Sequence, residues 1–126
     1  MTEKSEKYLI DSNIIIYHLN GDNIATEFLR SNISYSYISR VTFIEVLSFD
    51  FTEDEKEKVL NLLRMFKIID TTDAIAMRAI ENRTIKKIKL ADNIIASTAQ
   101  GDDLMLVTKN TKDFNGLNIQ LLNIFG

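Results

Sequence analysis

Short apolar runs alternate along the chain with longer segments in which apolar residues recur every three or four positions. The short runs are typical of buried strands, because a strand covered on both faces does not alternate polar and apolar side chains. The longer segments have the spacing of helices that bury one face. The predicted strands cover residues 8–11, 35–38, 67–69, 104–107 and, more weakly, 119–122.

Capping residues place the predicted helices between these strands. Thr52 is followed three residues later by Glu55, which is the pattern of a capping box. Ser12 or Asn13, Ser39, and Thr71 or Thr72 can start other helices with their side-chain oxygens. The helix after Thr72 is expected to bury Ile75, Ala76, Ala79 and Ile80. The predicted helices cover residues 14–19, 22–31, 41–51 and 90–100, with two more starting after Thr52 and Thr72.

The alternation of strands and helices predicts an α/β fold in three layers, with a parallel sheet between two layers of helices. Ligands of such sheets bind at the carboxyl ends of the strands, where the strand order reverses. The polar residues at strand ends are therefore the first candidates for function.

Two acidic residues follow predicted strands. Asp11 ends the first strand, and Asp113 lies in the polar segment after the strand at 104–107, which also contains Thr108 and Asn110. Asp11 can equally serve as a helix N-cap, and Asp113 can belong to an ordinary polar turn. Both the structural and the functional interpretation stay open for each residue taken alone.

Two further acids lie on predicted helices. The segment around Glu45 is apolar on nearly all sides, so we expect its helix to be buried and its carboxylate to need a partner. An ion pair with a buried Arg or Lys is the structural alternative, although the nearest cation, Arg40, is expected to point elsewhere on the helix. Asp92 lies in the first turn of its helix, where the macrodipole favours an acid. Ala96 and Ala99 are on the same side as Asp92 and are expected to leave room for a ligand.

Four carboxylates in one cleft would repel each other and raise each other's pKa. A hard divalent cation with oxygen ligands removes this repulsion, and Mg²⁺ or Mn²⁺ binds in this way while keeping several waters. The pattern therefore predicts a metal site that can activate water towards a phosphodiester.

Composition narrows the chemistry further. The 126 residues suit one domain, and the absence of cysteine excludes disulfides and thiolate metal sites. With His18 as the only histidine, a His-rich zinc site is not expected. No apolar run is long enough to cross a bilayer and the start lacks a signal-peptide core, so we expect a cytoplasmic protein with residues 1–6 flexible.

The net charge of -3 does not favour a protein that binds nucleic acid through phosphate contacts alone. Metal ions would neutralise part of this charge at an acidic site. Basic residues also cluster at 83–89, just before Asp92, although such a cluster can be a solvated helix end. The candidates for contact with a nucleic-acid backbone are Arg40, Lys86, Lys87 and Lys89.

Four segments, at 7–13, 39–46, 87–99 and 106–114, resemble the signature segments of PIN-domain nucleases, and in particular VapC-type toxins of toxin–antitoxin pairs. The resemblance implies a five-stranded parallel sheet and a Mg²⁺- or Mn²⁺-dependent endoribonuclease. It also implies a homodimer held inactive by a small antitoxin. The family's core acids correspond to Asp11, Glu45 and Asp92, its more variable acid to Asp113, and its supporting polar groups to Asn13, Thr108 and Asn110.

The same resemblance covers a housekeeping RNA-processing nuclease and a PIN-like module that binds RNA or protein without cutting. The complete set of acids argues against the second. A phosphate-accepting receiver domain is a weaker alternative, because it needs an acidic pair after the first strand and a lysine after the fifth. The hypothesis is hydrolysis of RNA in which Asp11, Asp92 and Asp113 hold the metal and Glu45 binds it or orients the attacking water.

Overall fold

The strands and helices follow each other in the order that the apolar pattern predicts. The computed structural model describes residues 6–126, so the predicted flexibility of residues 1–6 lies, apart from Glu6, outside the described residues. The strands are β1 Tyr8–Ile10, β2 Ser36–Ser39, β3 Lys67–Ile69, β4 Met105–Val107 and β5 Leu121–Leu122. The α-helices are α1 Ser12–Leu19, α2 Asn23–Asn32, α3 Arg40–Leu47, α4 Glu53–Leu63, α5 Asp73–Ile85 and α6 Leu90–Gly101.

Within residues 6–126, the five strands form one parallel sheet in the order β3-β2-β1-β4-β5. The chain moves outward from β1 to β3 and then returns to β4 on the other side of β1. The strand order therefore reverses between β1 and β4, which is the position where open α/β sheets bind ligands. Ile10 pairs with Val107 at this point, so Asp11 and Thr108 leave the sheet side by side.

Apolar side chains form a core on each face of the sheet. Tyr8 and Ile10 belong to one cluster, which includes residues of α1, α2, α3 and α4, whereas Leu9 belongs to the other cluster with α6. This division follows from the alternation of side chains along a strand. The three-layer α/β/α architecture is confirmed.

Helix α3 departs from the prediction in its length and its burial. It ends at Leu47 rather than at residue 51, and the Ser48 hydroxyl donates a hydrogen bond to the Ile44 carbonyl oxygen at 2.6 Å. The helix is also not buried all round, since Ile44 is 56% exposed and Phe49, just after it, is 53% exposed. The expected burial of the whole Glu45 helix is therefore wrong.

Helix α5 differs in the face that it buries. Ile75 and Ala79 are buried as predicted, but Ala76 is exposed and Ile80 is 61% exposed. The buried stripe continues instead to Asn82, a polar residue that the apolar pattern could not reveal. No helix among residues 6–126 combines the length and apolarity needed to span a membrane.

Asn82 connects α5 to α6 through buried hydrogen bonds. Its side-chain nitrogen lies 3.1 Å from Asn93 Oδ1, 3.1 Å from Ser97 Oγ and 3.0 Å from Gln100 Oε1. Asn93 in turn donates to the Ala79 carbonyl oxygen at 2.7 Å. This network holds the helix that carries Asp92 against its neighbour.

Asn82→Ala is expected to lower the free energy of unfolding by about 2 kcal/mol, because buried acceptors lose their donor. Urea unfolding followed by circular dichroism measures the change. The matched control is Asn61→Ala, which makes the same substitution at an exposed helical position of α4. An equal change in stability for the two variants would contradict the role of the network.

Candidate metal centre

Asp11 follows β1 directly and is held by three donors. Its Oδ1 accepts a hydrogen bond from the Ser12 backbone N–H at 2.7 Å. Its Oδ2 accepts from Thr108 Oγ at 2.7 Å and from Asn13 Nδ2 at 3.2 Å. The predicted capping role is therefore real, since Asp11 is the N-cap of α1. The contacts also fix the carboxylate at the point where the strand order reverses.

Burial gives Asp11 unusual acid–base properties. The side chain is 5% exposed, and burial raises its pKa to about 6, against the hydrogen bonds from Thr108 and Ser12, which lower it. The negative charges of Asp92 and Glu45 raise the pKa further. A bound cation would lower the pKa again, because it stabilises the ionised form.

The two polar residues Asn13 and Thr108 join α1 to the end of β4. Asn13 Nδ2 donates to Thr108 Oγ at 3.3 Å, and Asn13 Oδ1 accepts from the Lys109 backbone N–H at 3.3 Å. The Asn110 backbone N–H donates to Thr108 Oγ at 3.1 Å. These contacts agree with the predicted supporting positions of Asn13 and Thr108, whereas the Asn110 side chain is exposed.

Glu45 is joined to α1, the helix that Asp11 caps, through Ser12. Ser12 Oγ donates to Glu45 Oε1 at 2.6 Å and lies 3.2 Å from Thr42 Oγ. The sequence indicated Ser12 only as a helix cap and Thr42 only as a neighbour of Glu45 on the same helix, so the contact of both with one another was not predicted. The signal for Ser12 was its position directly after a candidate acid.

Asp92 and Asp113 complete the acidic group. Asp92 is half-buried in the first turn of α6, and its pKa is raised by burial, then by the charges of Asp113 and Glu45. Lys89 lowers that pKa. Asp113 lies exposed in a 3-10 helix, Thr111–Phe114, that follows β4. The charges of Asp92 and Glu45 act on Asp11, and those of Asp113 and Glu45 act on Asp92. The four candidate acids therefore form one electrostatic group.

The small residues of α6 do not leave the room that the sequence suggested. Ala96 and Ala99 are buried in the core cluster with Leu9 and Leu106. Their size lets α6 approach the sheet closely, because there is little side chain to keep the two apart. The space beside Asp92 is instead bounded by lysines.

Lys86, Lys87, Lys89 and Lys112 line a depression of about 190 Å³ together with Asp92 and Asp113. Lys86 Nζ also donates to the Lys112 carbonyl oxygen at 3.3 Å. Lys112 was not among the predicted residues, although it lies next to Asp113 in the sequence and lines the same depression. Lysines next to acidic metal ligands can bind a phosphate group that is also bound to the metal.

Arg40 interacts with residues outside the acidic group. Its guanidinium forms an ion pair with Asp70, whose pKa it lowers, and lies 4.8 Å from the centre of the Phe43 ring. Arg40 therefore does not pair with Glu45, in agreement with its expected position on another side of the helix. The pairing with Asp70 leaves Arg40 a weaker candidate for contact with RNA than the lysines.

The acidic group fits a hydrated divalent cation better than a fully protein-coordinated one. Among residues 6–126, no three His, Asp or Glu side chains are arranged to hold an ion by themselves. Mg²⁺ commonly binds through one or two carboxylates and completes its shell with water. Asp11 and Asp92, with raised pKa values and oxygen-only chemistry, suit such an ion.

Comparisons with known proteins agree with the fold. A family profile described as PIN domain matches residues 8–118. Ribonuclease VapC10 of Mycobacterium tuberculosis is 34% identical over 113 residues, which is 84% of each protein. The chain therefore belongs to the PIN-domain family.

Solved structures give the same result. A toxin–antitoxin complex from Klebsiella pneumoniae contains a chain that is 33% identical, with a TM-score of 0.84 over 94% of this chain and 98% of that one. VapBC2 from Rickettsia felis, bound to a DNA fragment from its promoter, is 26% identical, with a TM-score of 0.79 over 92% of this chain and 97% of that one. The predicted resemblance to PIN domains is confirmed.

Proposed function

We propose that this protein is a metal-dependent endoribonuclease and the toxin of a type II toxin–antitoxin pair. The observation that carries the proposal is the electrostatic group of Asp11, Glu45, Asp92 and Asp113 at the strand reversal of a PIN-domain sheet. The ribonuclease activity of the similar VapC10 supports the reaction class. A cytoplasmic location is part of the proposal, because that is where its RNA substrate is found.

Each residue of the site has its own role in hydrolysis. Asp11, Asp92 and Asp113 would hold one or two Mg²⁺ or Mn²⁺ ions. When bound, such an ion lowers the pKa of a coordinated water and neutralises charge on the phosphate. Glu45 binds the ion or orients the attacking water, and the Ser12 hydroxyl at 2.6 Å keeps its carboxylate in place. Asn13 and Thr108 keep Asp11 in its orientation.

The lysine-lined depression compensates for the net negative charge of the protein. Lys86, Lys87, Lys89 and Lys112 place positive charge next to Asp92 and Asp113. Exposed lysines bind phosphates as point charges, so they can hold the RNA backbone while the acids act on one phosphodiester. Arg40 adds a contact only if its pair with Asp70 opens.

The proposed partners are RNA, a second copy of the chain and a small antitoxin. The antitoxin is supported by the similar chain from Klebsiella pneumoniae, which was solved as a toxin–antitoxin complex. Growth arrest when the chain is expressed alone, relieved by the neighbouring gene, is the expected result for a toxin. Normal growth on expression of an active enzyme would favour the housekeeping nuclease.

Incubation of purified protein with total RNA tests the reaction itself. Cleavage is expected with Mn²⁺ or Mg²⁺, none is expected with chelator, and the cut ends should carry 5′-phosphates and 3′-hydroxyls. Products with 2′,3′-cyclic phosphates would contradict the mechanism, because they require attack by the ribose hydroxyl. No cleavage together with no binding of divalent cations would contradict the enzyme proposal.

A further inference from the structure

A cation lies between two aromatic rings next to the acidic group. Lys109 Nζ is 4.7 Å from the centre of the Tyr17 ring and 5.4 Å from the centre of the Phe125 ring. It also donates a hydrogen bond to the Tyr17 hydroxyl at 2.8 Å. The two rings are 5.0 Å apart and inclined by 54°. We call these three residues the aromatic–lysine cluster.

The cluster is connected directly to the residues that hold Asp11. Lys109 follows Thr108 in the sequence, and its backbone N–H donates to Asn13 Oδ1 at 3.3 Å. Tyr17 lies one helical turn after Asn13 on α1, so the two side chains share one face of that helix. A molecule that contacts Asp11 can therefore reach the cluster without leaving this face.

A groove of about 530 Å³ extends between α1 and α3 beside the cluster. Its lining includes Glu45 and Asn13 at the acidic end and Ile16, Tyr17 and Phe49 along its apolar part. The lysine-lined depression contains Asp92 and Asp113 and shares no lining residue with this groove. Glu45 thus borders an aromatic groove, whereas Asp92 and Asp113 border a cationic depression.

We propose that the groove binds a nucleotide adjacent to the scissile phosphate, with its base on the Tyr17 ring and its phosphate on Lys109 Nζ. This inference rests on the proposed ribonuclease function and assigns the substrate contacts of that same site. Aromatic side chains beside a positive charge are the usual platform for single-stranded nucleic acid, because every base offers a flat face for stacking. A groove of this volume lies within the range that holds small ligands.

Charge complementarity favours a nucleotide over a peptide as the occupant. Lys109 is exposed at the edge of an acidic group, so its ammonium can turn from the Tyr17 hydroxyl towards an incoming phosphate. A bound RNA strand would then have cations on both sides of the reacting phosphate, with Lys109 on one side and the lysine-lined depression on the other. A peptide segment would use the apolar part of the groove but would have no need of this pair of cationic sites.

Steady-state cleavage of a short single-stranded RNA at several salt concentrations tests the inference. Tyr17→Leu is expected to raise KM about tenfold, the size of effect produced by loss of one stacking platform, with kcat within about twofold of wild type. Tyr17→Phe keeps the ring and should keep KM. Lys109→Gln should reduce the slope of log KM against log salt by about 0.7, the value for one phosphate contact on a single strand.

The control for charge is Lys67→Gln. Lys67 is also exposed and lies 5.3 Å from the centre of an aromatic ring, that of Tyr37, but it is the first residue of β3, at the opposite end of the sheet. Lys67→Gln changes the net charge by the same amount as Lys109→Gln and should leave the slope of log KM against log salt unchanged. Lys109 is exposed, so its variant keeps the inference testable even if Tyr17→Leu does not fold.

The possible results separate this inference from the proposed function. Cleavage by all variants with wild-type KM and salt slope would overturn the nucleotide site and leave the nuclease intact. Wild-type KM and salt slope in all variants, combined with weaker binding of a protein partner by the Tyr17 and Lys109 variants, would assign the groove to that partner instead. Failure of the wild-type protein to cleave RNA would overturn both proposals.

Discussion

Asp92→Asn is expected to lower kcat for metal-dependent RNA cleavage by about a thousandfold or more, which corresponds to about 4 kcal/mol of transition-state stabilisation. The substitution keeps the shape of the side chain but removes the charge that would bind the cation. Its fold should be at least as stable as wild type without metal, because Asp92 is half-buried and repelled by Asp113 and Glu45. Initial rates with saturating Mn²⁺ measure the loss of activity.

Asp73→Asn is the matched control for that substitution. Asp73 lies in the first turn of α5 as Asp92 does in α6, but it is exposed and outside the acidic group. Both variants lose the same favourable interaction with a helix dipole, typically below about 1 kcal/mol. Equal activity of the two variants would show that Asp92 has no role beyond its helix.

The metal-free protein is expected to become less stable as pH rises from about 4 to 6. The pKa of Asp11 is about 6 in the folded state against 3.8 for the free side chain, so the folded state holds its proton more tightly. A proton held more tightly in the folded state favours folding at low pH, and this contribution is lost as the pH rises through 6. The difference corresponds to about 3 kcal/mol.

Urea unfolding at a series of pH values in the presence of chelator measures this dependence. Asp11→Asn should flatten the curve between pH 4 and 6, since an amide does not titrate and Asn is also a good N-cap. A divalent cation at pH 7 should recover part of the lost stability, because it binds the ionised form. A wild-type curve that is as flat as that of the variant would contradict the burial of an ionisable Asp11.

Most of the sheet and all four acids could be predicted because they depend on local sequence. The apolar runs identify the strands, Asp11 directly follows β1, and Asp113 lies in the polar segment after β4. Asp11 and Asp113 could therefore be assigned to one sheet edge from chain order alone. The Thr52–Glu55 capping box is present as predicted, since both of its hydrogen bonds join residues three apart. Local patterns of this kind need no knowledge of the tertiary structure.

The features that the sequence did not predict correctly depend on tertiary packing. An apolar sequence around Glu45 predicted a buried helix, but the sheet covers only one side of α3 and leaves Ile44 exposed. Asn82 is buried because three polar residues of α6 meet it, which its own segment cannot reveal.

Several contacts of the candidate site join residues that are distant in the sequence. Glu45 meets Ser12 across 33 positions, and Lys109 meets Tyr17 across 92. Periodicity reports which face of an element is apolar, but it contains no information about which element will face it. The predicted acids were therefore found one by one, whereas their supporting hydroxyls and the aromatic–lysine cluster required the structure.

Mn²⁺ binding followed by electron paramagnetic resonance is the most direct test of the claim that these acids form a metal centre. Titration of the wild-type protein should reveal one or two bound ions at neutral pH. Asp73→Asn should retain them, and Asp92→Asn should lose at least one or bind it much more weakly. Equal binding by all three proteins, or no binding by any of them, would contradict a metal centre built on Asp92 and its neighbouring acids.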